Sequence, residues 1–329
     1  WLKTRVAQAL PRPRAVLEEM EDSPDPNASV GRAGAAAVAV GDHIYLLGGH
    51  SDYSALRSLA SLQPASRVDR RGRWQELPPM HARRSYLAAV ALEGQLYAIG
   101  GGADNRMLNS MEVFDVEKGE WVVWYTLPPM QCKRMQHAAA AAGGRIFVCG
   151  GFDGTRDMAT FECFNPACNQ WTWLENMSAP RSFLALAVAG GHIYAVGGQD
   201  RLSGKERGHA KVEVSRIAPA AAALVAEGGQ EHVYVCGGSN GEEVLASMER
   251  YDAKAGVWAE APPMSTPRLS HAAVVFKNKL YVIGGSDGQG PLDTFECFDP
   301  KAGKWGPPLR MGNLPEAVQA EAEAGAAAQ

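Results

Sequence analysis

Short apolar runs of about five residues recur along the chain, and six of them close on a Gly-Gly pair. The pairs begin at Gly48, Gly100, Gly150, Gly197, Gly237 and Gly284, and an aromatic stands three residues before each: Tyr45, Tyr97, Phe147, Tyr194, Tyr234 and Tyr281. Successive pairs are 52, 50, 47, 40 and 47 residues apart. A near-fixed period of this size marks a repeat architecture. An Ala-rich apolar stretch precedes each run: Ala35 to Val40, Leu87 to Leu92, His137 to Ala142, Leu184 to Val188, Ala220 to Val225 and Ala272 to Phe276. A third stretch carries an alternating pattern, as in Glu112-Val113-Phe114-Asp115 and Glu249-Arg250-Tyr251-Asp252, and a fourth is built around a Trp. Asp153-Gly154, Asn240-Gly241 and Asp287-Gly288 are hairpin turn signals between them. No helical period appears.

Four short antiparallel strands per unit, repeated six times, predict an all-β, six-bladed β-propeller. Blades narrow toward the axis, which suits the Ala-rich first strand, and they splay at the rim, where Trp74, Trp121, Trp171, Trp258 and Trp305 add bulk. Three repeats depart from the frame. In repeat 4, Val212-Glu213-Val214-Ser215-Arg216 runs straight into the next Ala-rich strand with no Trp strand, and repeat 5 has Ala221 at the position of a recurring Arg. A deletion of roughly 20 residues at that junction would produce both defects, leaving a fourth blade of three strands without its outer one. In repeat 1, Ser66-Arg67-Val68-Asp69 replaces the usual third strand. The propeller is expected over 32–311, with a tail or linker at 1–31 and an Ala- and Glu-rich tail at 312–329.

Aligned on Gly-Gly, Arg32, Arg84, Arg134, Arg181 and Arg268 each stand 16 residues before the first glycine. Glu112, Glu162, Glu249 and Glu296 follow it by 12, and Met80, Met130, Met177, Met264 and Met311 follow the Trp positions. This set of offsets resembles the kelch repeat, and repeats 2, 3 and 6 are similar to those of the kelch-like proteins. The resemblance implies a protein-binding module that acts as a substrate adaptor of a cullin-type ubiquitin ligase, joined to it through an upstream BTB-type domain. Alternatives within the same resemblance are an actin- or cytoskeleton-associated scaffold and a propeller enzyme acting on a sugar or small molecule.

Composition narrows these readings. A hydrophobic content of 46% supports a large core, and a net charge of −4 without a basic face gives no reason to expect nucleic acid. No apolar run of about 18 residues predicts a membrane span. The first residues are neither a signal peptide nor an initiator Met, so the chain reads as part of something longer. Cys149 and Cys236 occupy core positions beside Gly-Gly, while Cys163 and Cys297 share one repeat position and would lie far apart in a ring. Reduced thiols and a cytoplasmic location follow.

Strand order puts the longer connections on one side of the ring, and binding is expected there. The recurring Arg84, Arg134, Arg181 and Arg268 read either as a cationic ring for an acidic peptide or as loop struts. Residues that differ between repeats are candidates for specificity: His50, Asp52, Tyr53, Asn105, Arg106, Arg156, Arg201, Asn240 and Glu242. His137 and His271 fall on opposite sides of the axis, which argues against a shared metal. His43, His192 and His232 occupy one repeat position beside the short turns and cannot converge either. No catalytic triad, phosphate loop or metal-spaced cysteine pair is visible, and neither a cofactor nor enzymatic activity is expected.

Overall fold

The computed structural model describes residues 31–51, 54–64, 73–103, 106–122, 127–189, 191–200, 220–225 and 231–311. The described residues are all β, and none forms a helix long and apolar enough to cross a membrane. Apart from Gly31, both assigned tails lie outside them. Five repeats form antiparallel sheets of four strands, repeat 6 adding a fifth short strand at Leu309–Arg310. In repeat 3, for instance, Ala138–Ala142, Arg145–Cys149, Phe161–Asn165 and Gln170–Trp173 pair in sequence order.

Repeat 4 forms a two-stranded sheet, Ser182–Ala189 with His192–Gln199. The expectation of six blades is therefore corrected to five complete ones, with this hairpin in the remaining place. Its expected third strand, Val212–Arg216, lies outside the described residues. The inner strand of each repeat packs against that of the next, from repeat 1 through repeat 6 and back to repeat 1. The ring is closed, and the Ala-rich composition of these strands lets six backbones approach one axis.

Two register findings revise the repeat alignment. The third strand of repeat 1 is Leu59–Gln63, not the segment around Val68; Leu59 follows Gly48 by 11 residues, as Phe161 follows Gly150. Its Glu position is held by Ala60, which hid the strand from the pattern. In repeat 5, Ala220 pairs with Cys236 as Ala138 pairs with Cys149, but five residues of sequence separate the paired ends Val225 and Glu231 where two glycines separate Ala142 and Arg145. Ala220 is thus the counterpart of Ala138. Arg216, four residues ahead, is in sequence the counterpart of Arg134, and Ala221 is an ordinary strand residue.

The Gly-Gly pair is where neighbouring repeats touch. Its first glycine has φ between 56° and 65°, and at Gly48, Gly100, Gly150, Gly237 and Gly284 an added Cβ would fall within 2.7 Å of the main-chain oxygen of the next repeat's Arg. The second glycine's N–H donates to that same oxygen: Gly49 to Arg84 at 2.9 Å, Gly101 to Arg134 at 2.9 Å, Gly151 to Arg181 at 2.7 Å and Gly238 to Arg268 at 2.7 Å. Gly285 closes the ring by donating to Arg32 at 2.9 Å. Only glycine combines this φ with this approach.

At the rim, three of the indoles reach back one repeat. Trp121 Nε1 donates to Pro78 O at 2.7 Å, Trp171 to Pro128 O at 3.0 Å and Trp305 to Pro262 O at 2.7 Å. The methionines after the outer strands, Met80, Met130, Met264 and Met311, are buried between repeats, whereas Met177, which faces the two-stranded repeat 4, is only half-buried.

A Gly284→Ala substitution at the closing junction is expected to lower unfolding free energy by about 2–3 kcal/mol in urea titration, since alanine meets both a disfavoured φ and the Arg32 carbonyl.

Candidate channel-mouth site

The recurring arginines are interior struts. Arg84, Arg134 and Arg268 are essentially inaccessible, and Arg181 is 5% exposed. Each sends Nη1 to the first glycine of its own repeat: Arg84 to Gly100 O at 2.7 Å, Arg134 to Gly150 O at 2.7 Å, Arg181 to Gly197 O at 3.2 Å and Arg268 to Gly284 O at 2.8 Å. In three repeats a buried carboxylate completes the site. Arg84 pairs with Glu112 at 2.9 Å, Arg268 with Glu296 at 3.1 Å, and Arg134 with Glu162. These carboxylates also accept main-chain N–H groups from the loop leaving the preceding repeat: Ala82 to Glu112, Gln131 to Glu162 and Ser265 to Glu296. The guanidinium charge is consumed inside the blades, so the cationic-ring expectation has no surface on which to act.

What the loop-rich face presents instead is the residue two positions after each Arg. Gly34, Tyr86, Gln136, Phe183 and Ser270 all have φ between 51° and 63°. They are linked by main-chain hydrogen bonds around the mouth: Gly34 N to Ser270 O at 2.9 Å, Tyr86 N to Gly34 O at 2.7 Å, Gln136 N to Tyr86 O at 2.9 Å and Phe183 N to Gln136 O at 2.8 Å. A left-handed φ at Tyr, Gln, Phe and Ser is strained, and strain of this kind concentrates where side chains are aimed for a purpose. Here it brings the side chains of Tyr86, Gln136, Phe183 and Ser270 together over one cavity.

Those side chains meet. The Tyr86 ring lies edge-on to Phe183 with centroids 5.6 Å apart and packs on His50 at 5.1 Å. Burial raises the Tyr86 hydroxyl pKa, and a hydrogen bond to Ser270 opposes the rise. Beneath them is a cavity of about 100 Å³, lined by these residues and by the next residue of each repeat: Ala35, Leu87, His137, Leu184 and His271. His137 and His271 are buried, and desolvation reinforced by the nearby arginines depresses each pKa to about 3. Both are neutral at physiological pH. His271 Nε2 lies 3.6 Å from the buried Cys236 Sγ. No group of three potential metal ligands exists among the described residues.

Of the specificity candidates, His50 reaches the mouth, half-buried, with its pKa lowered by desolvation. Arg106 and Arg156 are exposed on short connections, Arg156 beside Asp153 at 3.7 Å. Asn240 is occupied in its own turn, accepting from Glu242 N and Glu243 N at 3.0 and 2.9 Å. Glu242 is exposed on that turn. Asp52, Tyr53, Asn105 and Arg201 lie outside the described residues. Tyr86, Gln136, Phe183 and Ser270 were not among the candidates. Their sequence signal is a position that varies from repeat to repeat only two residues after a recurring Arg.

His43, His192 and His232 are kept apart in their separate repeats, each ring 6.2 to 6.3 Å from the Tyr two residues on. All six cysteines are free thiols, and burial raises the Cys149 pKa to about 12.

Comparison with known proteins places this geometry. A family model described as the KLHDC2/KLHL20/DRC7 Kelch-repeats domain matches residues 19–200, and the Kelch motif matches 224–265 and 267–305. Kelch-like protein 33 of Homo sapiens is 39% identical over 93 residues, covering 27% of this chain and 16% of that protein. An F-box/kelch-repeat protein of Arabidopsis thaliana is 38% identical over 87 residues, covering 26% of this chain and 20% of that protein. The chain thus matches a fifth or less of the length of these two relatives. The solved structure of YjhT superposes with a TM-score of 0.67 at 14% identity, covering 85% of this chain and 98% of that one, which is a likeness of fold.

The two buried histidines make stability acid-sensitive. Unfolded histidine takes a proton below about pH 6.5, whereas these do so only near pH 3. Their contribution is therefore complete above pH 6.5 and is lost as pH falls from 6.5 toward 3, at up to about 1.4 kcal/mol per pH unit for each. Leucine fills the same position in repeats 2 and 4, as Leu87 and Leu184. The double variant His137→Leu/His271→Leu should flatten this acid limb when denaturation midpoints are compared at pH 7, 6, 5 and 4.

Proposed function

The chain belongs to the kelch-repeat domain family, and from that premise we propose that it is a protein-recognition module whose channel mouth receives a short segment of a partner. The observation that carries this reading is the inward-turned set Tyr86, Gln136, Phe183 and Ser270, with His50 against it. Aromatic rings held rigidly by a strained backbone give contact area at little entropic cost. Amide and hydroxyl groups among them supply direction. The exposed Arg106, Arg156 and Glu242 stand on the surrounding connections and would add charge selection to the same contact.

The propeller supplies rigidity while its connections vary, so recognition is separated from folding. The finer reading is that of a substrate adaptor for a cullin-type ubiquitin ligase, working with a further domain of the full-length protein. Relatives named as kelch-like and F-box/kelch-repeat proteins support it. On this reading no chemistry occurs in the ring, and the protein resides in the cytoplasm with its partners. The hairpin of repeat 4 would be the residue of a sixth blade.

The test uses the ring's own precedent. Repeat 1 carries glycine where repeats 2 and 4 carry Tyr86 and Phe183, so Tyr86→Gly and Phe183→Gly relieve strain while deleting the rings. Proximity labelling in cells with the double variant should recover specific neighbours at least tenfold less efficiently than the parent, because central aromatic anchors are commonly worth about 2 kcal/mol or more each. An unchanged set of labelled neighbours, from a variant with unchanged melting, would refute the mouth as the recognition site.

A further inference from the structure

Two buried histidines stand in this ring where leucine would serve. The residue three after the recurring Arg is Ala35, Leu87, His137, Leu184 and His271 in the repeats where it is described, and all five line the mouth cavity. Leu87 and Leu184 press a terminal methyl against the first glycine of the preceding repeat, Gly48 and Gly150. The ring Cε1 atoms of His137 and His271 do the same at Gly100 and Gly237. Both side-chain types therefore do one packing job, and packing does not call for imidazole. Imidazole also carries a penalty that leucine does not. His137 and His271 are 5% and 7% exposed, and no partner meets hydrogen-bond geometry at either ring nitrogen of His137 or at Nδ1 of His271. The main chains of Ile99 and Arg268 oppose the fall in the two pKa values without reversing it. Nε2 of His271 has only the weakly bonding Cys236 Sγ at 3.6 Å. Buried polar atoms left unmet are rare in folded proteins and need a reason at their own position.

The cavity beside them restricts what could meet those nitrogens. Burial first, and then the nearby Arg84, Arg134 and Arg268, keep both imidazoles uncharged, and the same two influences oppose a cationic guest. Those arginines are already paired with Glu112, Glu162 and Glu296. A carboxylate would thus be stripped of water without gaining a charged partner. Ala35, Leu87, Phe183 and Leu184 make much of the wall apolar. A neutral imidazole offers one donor and one acceptor, and Tyr86 and Ser270, joined by a side-chain hydrogen bond, add two hydroxyls. Size restricts the guest further. A cavity of about 150 Å³ holds benzene, so one of about 100 Å³ holds a smaller group, on the order of four heavy atoms.

We propose that the mouth cavity receives one compact, uncharged side chain of the partner segment, ending in a hydroxyl or a carboxamide, and that His137 and His271 select it by hydrogen bonding to its tip. Serine, threonine, asparagine and glutamine have this chemistry, since each tip both donates and accepts. A site built to hydrogen-bond such a tip rejects the analogue that lacks it, because its own polar atoms are then left unmet. The proposal rests on the mouth being the recognition site and adds what that site reads. Positions 218 and 219, the counterparts in repeat 5, lie outside the described residues.

The probe is a phage-displayed library of random heptapeptides, selected at pH 7 on the full chain. Peptides that bind the parent and not Tyr86→Gly/Phe183→Gly are mouth binders, and Ser, Thr, Asn or Gln should dominate one of their positions. Changing that residue to its apolar isostere, Thr→Val or Asn→Leu, should weaken binding to the parent at least about tenfold. Selection on His137→Leu/His271→Leu should replace it there with Leu, Ile, Val or Met, since leucine already fills this place in repeats 2 and 4. If that variant does not fold, the parent selection and the isosteric change still decide the matter. A charged or apolar residue dominating the position on the parent overturns the proposal. So do identical preferences on the parent and the histidine variant, or an isosteric change without effect, and each of these leaves the mouth standing as the recognition site. Recovery of no peptide, or only of peptides that Tyr86→Gly/Phe183→Gly still binds, removes the mouth reading and this proposal with it.

Discussion

One residue in each turn of the pattern holds two neighbouring sheets together by opposite ends. The main-chain oxygen of the recurring Arg accepts the N–H of the previous repeat's second glycine, and its guanidinium donates to the first glycine of its own repeat. In three repeats the same guanidinium anchors a Glu whose other contacts secure the loop arriving from the preceding repeat. Backbone geometry, ion pairing and ring closure are thereby coupled. The glycine must be glycine because the Arg carbonyl sits against it, and the Arg must be buried because the glycine it bonds is interior. A buried ion pair is weak evidence for net stability, but removing either partner is costly. The arrangement specifies which loop goes where more than it adds strength.

Much of the ring was legible before its coordinates. The Gly-Gly period, the Ala-rich inner strands and the outer Trp follow from a wedge that is narrow at the axis and broad at the rim. Two local errors have one cause, which is counting residues where hydrogen bonding counts pairs. Five residues rather than two separate the paired strand ends Val225 and Glu231, which displaces repeat 5 relative to its Gly-Gly, so Ala221 took the place that belongs in register to Arg216. The third strand of repeat 1 was misplaced because Ala60 stands where Glu was the guide.

The candidate site was far less legible, for a different reason. Polarity drew the search toward Arg, His and Asp. At the mouth the decisive property is a left-handed backbone at Tyr86, Gln136, Phe183 and Ser270, which no side-chain type announces. The arginines that looked like a cationic surface are buried inside the blades, none more than 5% exposed. Among the described residues chosen for their variation, His50 is the one that reaches the mouth, through its ring contact with Tyr86.

The rim indoles add a sense of direction to an otherwise even circle. Trp121, Trp171 and Trp305 each hold a proline carbonyl 43 residues earlier, so each latch runs backward along the chain. An outer strand that peels away slackens the sheet upstream of it and leaves the downstream latch in place. Fraying in this ring has a polarity, inherited from the order in which the chain is written.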